Sequence, residues 1–87
     1  MLPKIARDAL KLGKVDIRVM RSGTLQFQEF VVKRIPSPIG EYPVLFADKF
    51  VDMSELLRLS EEYQIPVSAK NGTVFPRGKT SKDFAGL

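Results

Sequence analysis

Phe75, Pro76, Arg77, Gly78 and Lys79 put an aromatic ring, two cations and a flexible glycine into consecutive positions. Phosphate recognition uses those groups: guanidinium and ammonium donors for the oxyanion, and backbone free to approach it. A ring exposed beside cations also offers a surface on which a base of single-stranded nucleic acid can stack. Lys70, just before Asn71-Gly72, and Arg21, which opens Arg21-Ser22-Gly23-Thr24, are further cations at turn signals. The expected site is therefore Arg77, Lys79, Lys70 and Arg21 on phosphates, with Phe75 as the stacking ring.

The stretch Gly72–Thr80 does not reach the geometry of a nucleoside-triphosphate loop. Five residues separate Gly72 from Gly78 where that motif has four, and only seven follow Thr80. Pro76 sits inside the loop, and the long helix whose N-terminus would receive phosphate has no room to form.

Missing residue types remove most other chemistry. The 87 residues include no Cys, His or Trp. Zinc sites, iron–sulfur clusters and thiol redox centres lose their usual ligands, and Ser–His or Cys–His nucleophile pairs cannot be built. Acid–base work near neutral pH would fall to a perturbed Asp, Glu, Lys or Tyr. The acidic residues do not follow the spacing of a calcium loop. Asp48, Lys49 and Asp52 are close in sequence but read as a turn and a helix cap. The expectation is a protein that is not an enzyme and carries no metal or cofactor. Asn71 is the one asparagine, and Gln and Met are also scarce, a composition that fits a hot environment.

Local periodicity divides the chain into short elements. Leu2–Leu12 reads as an amphipathic helix, with Pro3 in its first turn and Gly13 past its end. Val15, Ile17 and Val19 alternate with Asp16, Arg18 and Met20 as in a half-buried strand. Leu25–Ile35 continues as a longer strand whose apolar phase changes near Gln28–Glu29, through either a bulge or apolar character on both faces. Ile35–Gly40, with Pro36 and Pro38, is a loop. Tyr42–Phe46 returns as a strand, and Pro43 argues that it starts at an edge. Asp52–Tyr63 is a second helix, with Asp52 and Glu55 spaced as a capping box. Val67–Lys70 and Thr73–Phe75 flank an Asn71-Gly72 hairpin turn.

These elements predict an α+β fold: two amphipathic helices packed on a mostly antiparallel sheet, in the order α-β-β-β-α-β-β. Residues 1–76 are expected to form the domain and residues 77–87 a basic polar tail. Phe30, Phe46 and Phe50 are expected in the core. Leu, Ile, Val and Phe make up about a third of the chain, enough for a small core.

Two resemblances touch parts of this pattern. The order α-β-β-β-α is similar to the double-stranded-RNA-binding domain, whose last helix opens with lysines. Here that helix opens Asp52-Met53-Ser54-Glu55 and adds Glu61 and Glu62, which departs from the family. Tyr63-Gln64-Ile65-Pro66, then Asn71-Gly72 and Gly78, resembles the closing half of thioredoxin-like folds. That resemblance implies a helix, a proline-preceded strand and a tight hairpin; without cysteines it implies no redox activity.

Charge is segregated along the chain. The net +4 divides into about +5 over residues 1–34, −4 over 35–69 and +3 over 70–87. The leading reading is a small domain that binds nucleic acid, RNA ahead of DNA, and it requires basic side chains from both ends to share one surface. The alternative is a protein-interaction module or a subunit of a larger assembly, self-associating or using Pro36–Gly40 and the edge of Tyr42–Phe46. Uncharged runs are far shorter than the ~20 residues that cross a bilayer, and Met1-Leu2-Pro3-Lys4 does not open a signal peptide, so no membrane contact and a cytoplasmic location are expected.

Overall fold

The structure, a computed structural model, describes residues 13–86. Its elements are β1 (Lys14–Arg21), β2 (Thr24–Ile35), β3 (Tyr42–Phe46), α1 (Met53–Tyr63), β4 (Val67–Ala69), β5 (Gly72–Val74) and a 3₁₀ turn at Ser81–Asp83. The five strands form one sheet in sequence order. All neighbours pair antiparallel except β3 and β4, which run parallel on either side of the α1 crossover. Parallel neighbours cannot be joined by a hairpin, and α1 supplies the required crossover.

This corrects the expected fold. Among the described residues one α-helix, not two, packs on a sheet that is mixed, and the order α-β-β-β-α-β-β is not found. The helix read at Leu2–Leu12 lies outside the described residues. Strand periodicity names the strands but not their neighbours, which is why the parallel β3–β4 pair was not foreseen.

β1 and β2 meet through Ser22 and Gly23, both in the left-handed region at φ 52° and 78°, the pairing that matches strand twist. Their register runs from Lys14↔Val31 to Arg21↔Thr24 without a slip. β2 therefore has no bulge: its even positions Phe30 and Val32 face the core, and Leu25 and Phe27 lie on the other face. Of the two readings of the phase change, apolar character on both faces is the one that forms.

β3 starts with an open side, as Pro43 argues, and becomes internal only at its C-terminal end. β2 pairs along all of β3, while β4 joins only at Leu45 and Phe46. Pro43 precedes the stretch where β4 begins, so its missing N–H costs no bond on that side. The hairpin turn between β4 and β5 is also displaced. Ala69 pairs with Gly72, leaving Lys70 and Asn71 as the turn, and Gly72 adopts φ 145°, a backbone that side chains rarely allow.

α1 starts at Asp52, but the capping box does not form. Asp52 makes no side-chain cap, and its carbonyl accepts from the Glu55 and Leu56 N–H groups. The helix buries Leu56, Leu59 and Ser60 and leaves Met53 exposed. The main core fills the space between α1 and the inner sheet face: Ile17, Val19, Phe30, Leu45, Val67 and Ala69 against Leu56 and Leu59. A second, smaller core lies on the outer face, where Phe84 seals Tyr42 and Val44 beside Phe75. The stretch read as a polar tail thus carries a buried ring into the domain. Among the described residues no helix is long and apolar enough to cross a membrane.

Candidate functional site

Phe84 covers the outer sheet face only near Ile35, Tyr42, Val44 and Phe75. Toward the β1–β2 turn no described segment covers that face. Here Phe27 is 69% exposed, and the guanidinium of its cross-strand partner Arg18 lies 5.4 Å from the ring centroid. On the same face Lys33 Nζ sits 4.1 Å from the centroid of Phe46, which is half-buried. Each of these rings carries a cation, an attraction of quadrupole and charge that also places positive charge beside a stacking surface. A recess of about 490 Å³ adjoins the Lys33–Phe46 pair, lined by Gln28, Glu29, Val31, Lys33, Phe46, Asp48 and Lys49.

A second recess, about 420 Å³, opens at the adjoining rim between Arg21, Asp48, Lys49, Phe50 and Lys70. Asp48 and Lys49 line both, so the two recesses adjoin at the sheet end, Arg21 reaching the rim from the inner face in phase with Ile17 and Val19. Arg21 and Lys70, expected at the site and 49 positions apart, are brought together here. Antiparallel pairing of β1 and parallel pairing of β4 with β3 carry both strand ends to this rim.

The other expected residues are elsewhere. Arg77 Nε is 2.9 Å from Glu61 Oε1 on α1, an ion pair that occupies its charge. Phe75 is no exposed ring: it packs between Tyr42 and Phe84, with centroids 5.6 and 6.3 Å away. Lys79 follows in the connection to the 3₁₀ turn, its N–H bonded to the Pro76 carbonyl. Lys70 occupies the turn of the β4–β5 hairpin, whereas Arg77 lies beyond its open end, so the five residues do not form one patch.

Carboxylates are interleaved with the cations. Glu29 pairs with Lys14 at 3.5 Å, and Arg58 bridges Glu55 and Glu62 at 2.7 and 3.1 Å. Asp16 and Glu29 stand directly opposite each other on β1 and β2. The expected site, Arg77, Lys79, Lys70, Arg21 and Phe75, leaves out Arg18, Phe27, Lys33, Phe46, Lys49 and Phe50. The Arg18–Phe27 pair could have been found by counting outward from the Ser22-Gly23 turn, since the turn fixes the cross-strand register. Phe50, expected in the core, is 63% exposed because Val51 beside it fills the core position. No protein-family model, curated protein or solved structure matches this chain, so its site is read from geometry and chemistry.

Proposed function

We propose that this chain is a non-catalytic domain that binds single-stranded nucleic acid, RNA ahead of DNA, across the open outer face of its sheet. The observation that carries the reading is the two cation-bearing rings, Arg18 on Phe27 and Lys33 on Phe46, on a face the helix does not cover. Bases stack on the rings while the released cations meet the phosphates, and Lys49, Arg21 and Lys70 extend the positive surface to the rim. Single strands suit the site because their bases are free to splay onto a sheet, and RNA presents such loops most often.

The test is fluorescence anisotropy with a labelled ten-residue oligouridylate in 50 and 200 mM salt. Neutralising three or four phosphates of a single strand lowers affinity by roughly 20- to 50-fold over that range. Phe27→Ala, at an exposed position, weakens binding about 5-fold or more through lost stacking. Binding that ignores salt, or none at either salt, removes the reading.

A second reading rests on β2. β1 pairs with it over Thr24–Val31, but β3 pairs only with Val31–Ile35. The Val32 N–H donates to the Gly13 carbonyl on the β1 side, which turns the backbone of Leu25, Phe27 and Glu29 to the opposite side, beyond the end of β3. That edge, with exposed Met20, Leu25 and Phe27, could take a partner strand. Size-exclusion chromatography with light scattering separates the readings: a monomer that retains oligonucleotide supports the first, and a dimer that ignores it supports the second.

A further inference from the structure

The rim recess differs in charge from the sheet face beside it. Arg21, Lys49 and Lys70 surround it with Asp48, a balance of three cations to one carboxylate. Among the described residues no carboxylate pairs with Arg21, Lys49 or Lys70 within 4.0 Å. Arg21 is oriented without being neutralised: Nη2 donates to Gln26 Oε1 at 2.8 Å and Nη1 to Gln28 Oε1 at 3.4 Å.

The loops that carry the other two cations are locked together. The Lys70 N–H donates to the Lys49 carbonyl at 3.1 Å. Next to this bond, Asn71 Nδ2 donates to the Val51 carbonyl at 2.8 Å and Asn71 Oδ1 accepts from the Val51 N–H at 3.2 Å. An asparagine amide thus pairs with backbone as a strand would, and fixes the β4–β5 turn against the loop before α1. Phe50, exposed at the same recess, supplies an aromatic face.

We propose that this recess is the subsite for a terminal phosphate monoester of the bound strand, with Phe50 stacking on the terminal base. The inference rests on the nucleic-acid reading of the sheet face and deepens it. An internal phosphodiester carries one negative charge, whereas a terminal monoester carries close to two at neutral pH, its second pKa being about 6. A net charge of +2 in the recess matches the monoester. The shared residues Asp48 and Lys49 put the rim next to the recess that holds Phe46 and Lys33, so a strand end leaving that recess reaches it around the sheet end.

The test compares ten-residue oligouridylates ending in 5′-phosphate, 3′-phosphate or hydroxyl, by anisotropy at pH 7.5 and 100 mM salt. One phosphorylated form binds about tenfold tighter than the hydroxyl form, the gain from one or two added charge-assisted bonds. Lys49→Gln and Lys70→Gln each compress that ratio, and so does lowering the pH to 5.5, where the monoester takes up a proton. Phe27→Ala weakens all forms by a common factor and keeps the ratio. Equal binding of the three forms to the unaltered protein overturns the subsite and leaves the sheet-face reading standing. Absence of binding by any form overturns both. A phosphoserine peptide that binds as tightly as the best oligonucleotide assigns the recess to phosphopeptides and overturns the proposal.

Discussion

Arg58 shows how one side chain can finish a sheet. Its guanidinium meets Glu55 and Glu62 on its own helix and donates to the Arg18 carbonyl on β1 at 3.3 Å. The Met20 N–H on the same strand faces the Glu55 carboxyl and favours its charged form. Arg58 thus occupies a carbonyl on the outer edge of β1 that a further strand would otherwise claim. The bond from Arg58 holds the Glu55 carboxyl below its ordinary range despite some burial, helped by Met20. A pKa lowered by folding means that the unfolded chain takes up the proton first as pH falls. This contribution is therefore complete above the ordinary glutamate range and fades below it, through the folded value. Glu55→Gln should cost about 1 kcal/mol at pH 7 in urea denaturation, and the difference from the unaltered protein should shrink toward pH 3. A penalty that persists unchanged at pH 3 would show that the carboxylate charge is not the cause.

Elements are held by two kinds of device, turn chemistry and face coverage. Gly72 follows the Lys70-Asn71 turn at φ 145°, and the space around it is open, so Gly72→Ala meets backbone strain and no clash. About 1 kcal/mol of lost stability is expected, together with weaker discrimination of phosphorylated ends, since the turn carries Lys70. Thermal melting and the anisotropy ratio read the two effects separately. At the other end of the sheet, Thr80 caps the 3₁₀ turn by accepting from the Lys82 N–H, and Asp83 Oδ2 accepts from the Thr80 N–H at 2.8 Å. This reciprocal pair aims Phe84 at Tyr42 and Val44. Phe84→Ala should cost about 3 kcal/mol by opening that second core, and the uncovered outer face should bind an apolar dye. A melting temperature that does not move would mean that the closing segment is dispensable.

At the scale of the whole molecule, the two sheet faces divide the work. The inner face and α1 make the core, while the outer face is sealed at one end by Phe84 and covered by no described segment at the other. Under the proposed function, stacking and phosphate contacts have different salt signatures. Lys70→Gln should flatten the plot of log affinity against log salt by about 0.7, one single-strand phosphate contact fewer. Phe27→Ala should lower affinity at every salt concentration and leave the slope alone, because a ring releases no counterion. Variants that change slope and intercept in the opposite assignment would contradict the division of roles.

Much of this architecture is local, and the sequence by itself determined that part. The alternation of Val15, Ile17 and Val19, the Ser22-Gly23 reversal, the loop through Pro36 and Pro38 and the stripe of Leu56 and Leu59 depend on neighbours a few positions apart, where periodicity and backbone preference act. The tertiary structure alone decided which strands adjoin, that β3 and β4 run parallel, and which rings face solvent. Phe27, Phe50 and Phe75 are the same residue type. Their fates diverge because burial depends on what another segment lays over them: Phe84 covers Phe75, and no described segment covers the other two. For the same reason Arg21 and Lys70 became neighbours while Arg77 was claimed by Glu61. Side-chain type states what a residue can bind, but the path of the rest of the chain sets what it meets.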